Sequence, residues 1–398
     1  MHAIHNRKIG ETKVLPFNKP TLPPWELSCK AIHTIYETGH ITNGPVVRQF
    51  EMDVEDILQV GHAVAIGCCT SGLILALRCL GLRGKVALPS YTFFASAHSV
   101  MWNRLEPVFV DVEEDTWNIS VDRLEEALEE EEGVVAVMPV HVFGNPCDVE
   151  AIEEISRKAG VAVIYDAAHA MGSKSGEKWV GAFGDAEVFS LSPTKLVVAG
   201  EGGVITTNDE KLAEMLRIGR DYGNAGDYDP AFVGLNARMS EFHAALAVES
   251  FRLLELNVRR RNAIAERYRA RLAGLPGITF QAVREGNRST YKDFTILVDE
   301  EGFGLNRDAL AWHLAREGVD TRKYYHPPVH RTKAYWERWG KIYDDRLPVT
   351  NRLSGQALSL PIWSHMEIEV VDRVAESVCL AFEKCEEIKG DYLRENSR

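Results

Sequence analysis

An α/β fold with a mainly parallel sheet of about seven strands, followed by a smaller α+β unit, is predicted by three features of this 398-residue sequence. Seven short strand-like runs recur between residues 62 and 208, and most are continuously apolar, as strands buried on both faces require. Amphipathic helical stretches lie between several of them, the pattern of crossover connections. After about residue 240 the pattern changes: a long helical stretch precedes a mixture of one strand-like run and further helices.

The strand candidates are HAVAIG (62–67), KVALP (85–89), EPVFVD (106–111), VVAVMPV (134–140), VAVIYD (161–166), AEVFSLS (186–192) and GGVITTN (202–208). SVDRLEEALEEE is entered through Ser120 and DVEAIEEISRKAG through Asp148, both good N-cap residues, and the second helix is left through Gly160. The acidic run within the first reads as a solvated helix face. A helical stretch begins near Ser240; beyond it TYKDFTILVD reads as a strand, RDALAWHLAREG as a helix, and a final helix spans about 367–387. The expected division is an N-terminal segment (1–45) packing with the small domain, a large domain (46–255) and a small C-terminal domain (256–398).

Composition narrows the partners. With 45 Lys+Arg against 58 Asp+Glu, the formal net charge is -13, the wrong sign for a nucleic-acid surface, though a local pocket for a small anion remains open. The sequence shows no signal-peptide pattern at its start and no run near the roughly 18 apolar residues of a membrane span, so a cytoplasmic protein is expected. The seven cysteines lack metal-type CxxC or CxxxC spacing and are expected to be reduced thiols, with no metal site.

Four features at successive strand ends carry chemistry. HAVAIG runs into CCTSGLILALRCLG, where a helix start with Thr70, Ser71 and Gly72 makes an anion cradle, or simply a capped helix. KVALP leads to SYTFFASAHSV, whose Phe93 or Phe94 could stack on a flat ring or pack in the core. VAVIYD ends in Asp166, which either caps the next turn or faces a ligand in the crevice where strand ends diverge. SLSPTKLVVAGEGG carries Lys195 among apolar neighbours: a snorkelling lysine, or an amine whose pKa is depressed so that it can attack a carbonyl. Phosphate cradle, aromatic platform, carboxylate and lysine, in that order, are what a pyridoxal phosphate enzyme needs.

With these residues in view, the chain resembles the DegT/StrS-type sugar aminotransferases, a branch of the fold-type I, aspartate aminotransferase-like pyridoxal phosphate enzymes. The likeness runs from LPFNKPTLPPWE and GHITNGPVVRQFE through PSYTFFASAHSV, PVHVFGNPCDVEAI, IYDAAHAMGS and FSLSPTKLVVAGEGGVITTND to GLNARMSEFHAAL and LSLPIWSHM. It implies a three-layer α/β/α large domain, with a seven-stranded sheet, that binds the cofactor. It further implies that Lys195 bonds to the cofactor aldehyde, that Asp166 meets the pyridinium nitrogen, and that His169 lies near the ring hydroxyl. Thr70, Ser71 and Ser190 then serve the phosphate, Phe93 stacks on the ring, and Asn236 enters from the second subunit of a homodimer with shared active sites. Two departures touch the fine geometry: Cys68 and Cys69 precede Thr70 where Gly or Ser is usual, and Ser192 replaces a frequent His. Relatives with histidine at the lysine position are sugar dehydratases, so Lys195 favours transamination.

The resemblance implies a ping-pong aminotransferase that takes an amino group from L-glutamate or glutamine, passes through pyridoxamine phosphate, and aminates a keto-deoxysugar nucleotide. Arg238, Arg322, Lys323, Tyr324, Tyr325 and His330 are the candidate contacts to that nucleotide, each with a structural or solvated alternative. A cyclitol or other keto-compound aminotransferase, a dehydratase or epimerase, and a non-enzymatic cofactor-binding regulator are the competing readings.

Overall fold

The structure, a computed structural model, describes residues 14–396. Its strands are β1 (His62–Ile66), β2 (Lys85–Pro89), β3 (Glu106–Val110), β4 (Val134–Val137), β5 (Ala162–Asp166), a small hairpin of β6 (Lys174–Ser175) and β7 (Lys178–Trp179), then β8 (Ala186–Ser190), β9 (Gly203–Thr207), β10 (Ile278–Phe280), β11 (Phe294–Val298) and β12 (Ala357–Leu360). All seven expected runs become strands of one sheet, in the order β1-β9-β8-β5-β4-β2-β3. Six run parallel; β9 alone is antiparallel to both neighbours, β1 and β8. A second sheet, β10-β11-β12, is antiparallel.

Burial explains why these runs are continuously apolar. Every residue of β8 and β9 is buried, because helices pack over the sheet and leave neither face to water. Each Val, Leu or Ile so removed from solvent stabilises the fold by about 1.5–3 kcal/mol. The expected VVAVMPV strand is shorter than its apolar run and stops at Val137; beyond Pro139 only a single bridge, Val140 to Asp166, continues it. The helix caps fall where expected: Ser120 accepts from the Arg123 N–H, Asp148 from the Ala151 N–H, and Gly160 closes its helix with φ 69°.

Two expectations need correction. The stretch after Ser240 is two helices, Glu241–Phe251 and Leu254–Leu272, separated at Arg252 and Leu253. The second of these changes partners and packs on Ile368–Glu383, which explains the break. Gly72 does not face an anion. Its helix, Cys69–Cys79, presses that position onto the sheet, where an added Cβ would lie 2.1 Å from Ile66 Cδ1 and 2.8 Å from Val188 Cγ1. Glycine is there for close helix-on-sheet packing.

One core collects residues from Val47 to Val258 together with Val329, Tyr335, Trp339, Tyr343 and Leu347. A second surrounds the small sheet and the helices Leu254–Leu272, Arg307–Arg316 and Ile368–Glu383. The amino-terminal strand-like segment lies along the latter: Leu15 pairs with Val319, and the Ile362 N–H donates to the Phe17 carbonyl at 3.3 Å. Residues 1–13, part of the expected 1–45 segment, lie outside the described residues. Among the described residues no helix is long and apolar enough to cross a membrane.

Candidate active site

Because β1, β2, β5 and β8 all run the same way, their C-terminal ends open at one edge of the sheet, where a cavity of about 320 Å³ forms. Thr70, Phe93, Asp166, His169, Ser190, Lys195, Tyr324 and Tyr325 all line it, so most of the expected site converges.

Lys195 sits in the connection that turns from β8 back into antiparallel β9. This connection is pinned from several sides: the Leu191 N–H donates to Gly202 O, Ala199 N–H to Leu191 O, Val198 N–H to Ser250 Oγ at 2.9 Å, and Asn257 Nδ2 to Leu196 O at 3.2 Å. Leu196, Val197, Val198 and Ala199 are buried, which accounts for the apolar sequence that follows the lysine. Gly203 is required where β9 begins, since an added Cβ would stand 2.6 Å from Phe189 O and 3.0 Å from the Cys69 N–H nitrogen. Burial, and then the charge of nearby Lys292, push the Lys195 ammonium down to about 7, against opposing pulls from Asp293, Cys69 and Asp166. Lys195 lines the cavity, so the snorkelling alternative falls away, and its lowered pKa favours the free amine more than an ordinary lysine's would.

The sign of this shift gives a pH prediction. A lowered lysine pKa increases the free amine at and above neutrality, so the rate at which apoprotein captures pyridoxal phosphate covalently rises with pH and levels off above an inflection near 7. Stopped-flow absorbance of the capture step checks it; an inflection near the ordinary lysine value of about 10.4 would contradict the environment described.

Asp166 caps the next turn and also lines the cavity. Its Oδ1 caps the following turn by accepting from the Ala168 N–H at 3.1 Å, and its Oδ2 accepts from Ser96 Oγ at 2.7 Å, with lone pairs remaining on each oxygen. Burial raises its pKa, while the Ser96 and Ala168 hydrogen bonds and the positive charge of Lys195 pull the other way. Such a carboxylate gains most from a cationic partner in the cavity. Ser96 is in turn bonded to Thr92 Oγ1 at 3.0 Å, and Thr92 also lines the cavity. The His169 ring stacks on Phe143 with centroids 6.3 Å apart, and its buried Nδ1 has no partner among the described residues. Burial, with Lys195, Lys292 and Arg261 nearby, holds it neutral, far below the usual imidazole range. Phe93 is 47% exposed and lines the cavity, so it is not a core aromatic.

The cradle differs in detail from the sequence reading. Cys68, not a hydroxyl residue, is the N-cap of Cys69–Cys79, accepting from the Ser71 N–H, and Ser71 Oγ donates to the Cys68 carbonyl at 2.7 Å. Ser71 is outside the cavity lining; of the three hydroxyl residues expected at the phosphate, Thr70 and Ser190 face the cavity. Several other candidates also lie apart from it in this chain. Asn236 is exposed, and Arg238 pairs with Asp221 at 3.0 Å. Arg322 pairs with Asp320 and lies over Phe17, and Lys323 pairs with Asp308. His330 is fully buried between Ser90 Oγ (2.7 Å) and Asp344 Oδ1 (3.2 Å), a structural linchpin. Of the segment TRKYYHPPVH only the two tyrosines reach the cavity, Tyr324 with Phe17 packed edge-on against it at 5.7 Å.

Sequence reasoning missed Ser96, Lys292 and Glu201. Ser96 stood in a quoted motif three residues after Phe93, a helical spacing that signals a shared face. Lys292 had no local signal beyond a charged pair at the start of a strand.

The model of the DegT/DnrJ/EryC1/StrS aminotransferase family matches residues 26–379. The chain belongs to this family. Among the curated members of the DegT/DnrJ/EryC1/StrS family, the dTDP-4-amino-4,6-dideoxy-D-glucose transaminase of Escherichia coli is 32% identical over 369 residues, covering 92% of this chain and 98% of that one. The spore coat polysaccharide biosynthesis protein SpsC of Bacillus subtilis (strain 168) is 31% identical, covering 92% and 96%. Among solved structures, DesI in the presence of its TDP-sugar product superposes with a TM-score of 0.88 at 31% identity, covering 96% of each chain. S. venezuelae DesV in complex with a ketimine intermediate gives 0.86 at 31% identity, covering 94% and 99%. Membership in this family makes the protein an enzyme, an aminotransferase, and sets aside the non-enzymatic regulator.

Proposed function

We propose that this aminotransferase moves an amino group from an amino acid, L-glutamate or glutamine, to a keto-deoxysugar nucleotide in a ping-pong cycle at the cavity described above. The observation that carries the reading is the convergence of Lys195, with its depressed pKa, and buried Asp166 in one cavity that exposed Phe93 also lines. The relatives' names support the substrate class: one is a transaminase of a dTDP-linked amino sugar, and DesI was solved with a TDP-sugar product.

The cofactor is pyridoxal phosphate, and the residues fit it. A buried carboxylate with spare lone pairs, an orphaned imidazole nitrogen on His169 and a helix start flanked by two hydroxyls are the three polar features its ring nitrogen, ring hydroxyl and phosphate call for. When bound, it supplies an aldehyde that exchanges with the donor's amine and a cationic ring that delocalises the electron pair left on carbon. The amine of Lys195 removes the proton from the substrate carbon and returns it on the far side of the transfer. Asp166 keeps a proton on the ring nitrogen. Thr70, Ser190 and the free N–H groups of Cys69 and Thr70 at the start of Cys69–Cys79 would hold the phosphate, and Ser71, whose N–H is taken by Cys68, supports the helix start. His169, a neutral imidazole, would orient the ring hydroxyl, and Phe93 would lie against a face of the ring. Tyr324 and Tyr325, backed by Phe17 and Phe143, exclude water from the sugar side. Asn236 and Arg238 complete the site of a second copy in a homodimer; nearby Tyr228 and Val233, 94% and 77% exposed, are the apolar surface such a contact would cover.

The test is a panel. Holoenzyme with L-glutamate and a set of nucleotide-linked keto-deoxysugars is expected to release 2-oxoglutarate in step with amino-sugar formation for at least one member. Turnover confined to free keto-cyclitols would replace the substrate class, and release of neither product with any acceptor would refute it.

A further inference from the structure

An amino-acid donor brings a carboxylate into a largely dry cavity, and a carboxylate there needs a cation with N–H groups to spare. Among the described residues of one chain that line the cavity the cationic side chains are Lys195 and Lys292, and Arg238, assigned above to the site of a second copy, is already paired with Asp221 at 3.0 Å. Lys195 works as a free amine and cannot serve. Lys292 is 4% exposed and donates to both oxygens of Asp293, itself buried, at 3.0 and 2.9 Å. An ammonium has three N–H groups, and that carboxylate engages two. The Lys292 nitrogen also stands 5.4 Å from the ring centroid of Tyr324, across the cavity wall.

The charges around Lys292 do not balance. Arg261, 1% exposed, donates to the carbonyls of Lys292 (2.6 Å) and Tyr291 (3.2 Å) and to Ser364 Oγ (3.1 Å), and it makes no ion pair among the described residues. Two buried cations therefore flank one buried carboxylate, and the positive excess reaches the cavity through Lys292. Of the cavity's own acids, Asp166 is the partner assigned above to the cofactor's cationic ring nitrogen, and Glu201 is exposed on the connection before β9. A buried positive excess beside a neutral lysine is complementary to a small anion arriving next to that lysine.

We infer that Lys292 binds a carboxylate of the amino-acid donor, with Asp293 and Arg261 as the positioning residues that fix its ammonium and leave the net charge. The inference rests on the aminotransferase reading above and assigns the donor's subsite within it.

The experiment compares two half-reactions of the holoenzyme, above the pH at which Lys195 is deprotonated. One uses L-glutamate as amine donor; the other uses the amino-sugar nucleotide product, which carries no carboxylate on the carbon bearing the amine. Lys292→Met is expected to raise the half-saturating glutamate concentration by roughly ten- to a hundredfold, the loss of one charge-assisted hydrogen bond, while that of the amino sugar moves less than about threefold. Binding of glutarate, a dicarboxylate with no amine to transfer, is read by calorimetry and should weaken by a similar factor. Lys292→Arg should recover part of both. Since Lys292→Met leaves Asp293 unpaired, the double variant Lys292→Met/Asp293→Asn repeats the comparison with both charges removed. Unchanged glutamate and glutarate affinities overturn the inference, and so does an equal loss in both half-reactions, which would place Lys292 in the shared chemistry or on the sugar diphosphate. A wild-type enzyme that deaminates neither substrate defeats the parent reading itself, and this one with it.

Discussion

Replacing Lys195 with alanine is expected to lower turnover by at least about a thousandfold, because in the proposed cycle one side chain supplies both the covalent tether and the proton carrier. The fold should survive: the backbone around residue 195 is held by bonds from Ser250, Asn257 and Gly202 that do not involve the lysine side chain. Release of 2-oxoglutarate measures the loss. Borohydride reduction followed by peptide mass spectrometry gives a second readout, in which wild-type protein carries a pyridoxyl group on residue 195 and the variant carries none there. Retained turnover, or an adduct on Lys292 in the wild type, would move the chemistry to the other cavity lysine.

Asp166→Asn should cost on the order of 10²–10³ in kcat with little change in sugar-nucleotide KM, the signature of a charge that matters as electrons move and hardly at all for binding. Asparagine keeps the size, and its carbonyl oxygen can still accept from Ser96 or the Ala168 N–H, so cavity shape is preserved. What disappears is the negative charge that stabilises a proton on the ring nitrogen. Steady-state kinetics with both substrates separates kcat from KM; a change of only a few fold in kcat would reduce Asp166 to the turn cap that its Oδ1 also is.

The fold was largely legible because parallel strands covered on both faces are mostly apolar, as KVALP and the AVIY of β5 are. The break near Arg252 was not legible, since helical periodicity continues across it and only the change of packing partner ends the first helix. In the site, Asp166, Phe93, Thr70 and Lys195 could be read from the chain because each ends or follows a recognisable strand. Cys68 displaced the hydroxyl cap that Thr70 and Ser71 suggested, since a thiol in the right backbone conformation also accepts the Ser71 N–H. His330 is a reminder that a histidine in a promising loop can be wholly spent on a serine and an aspartate.

The sequence by itself determined the sheet, its crossover helices, and the order of phosphate cradle, aromatic, carboxylate and lysine along the chain, since these follow from burial patterns and from residues adjacent to strand ends. Tertiary structure alone decided that the Lys195 ammonium would be held well below its ordinary pKa, that Lys292 would line the same cavity, and that Arg261 and Ser96 would stand behind Lys292 and Asp166. Those properties depend on desolvation and on charges brought together from distant segments, and both effects vary with distance in space, which local sequence does not encode.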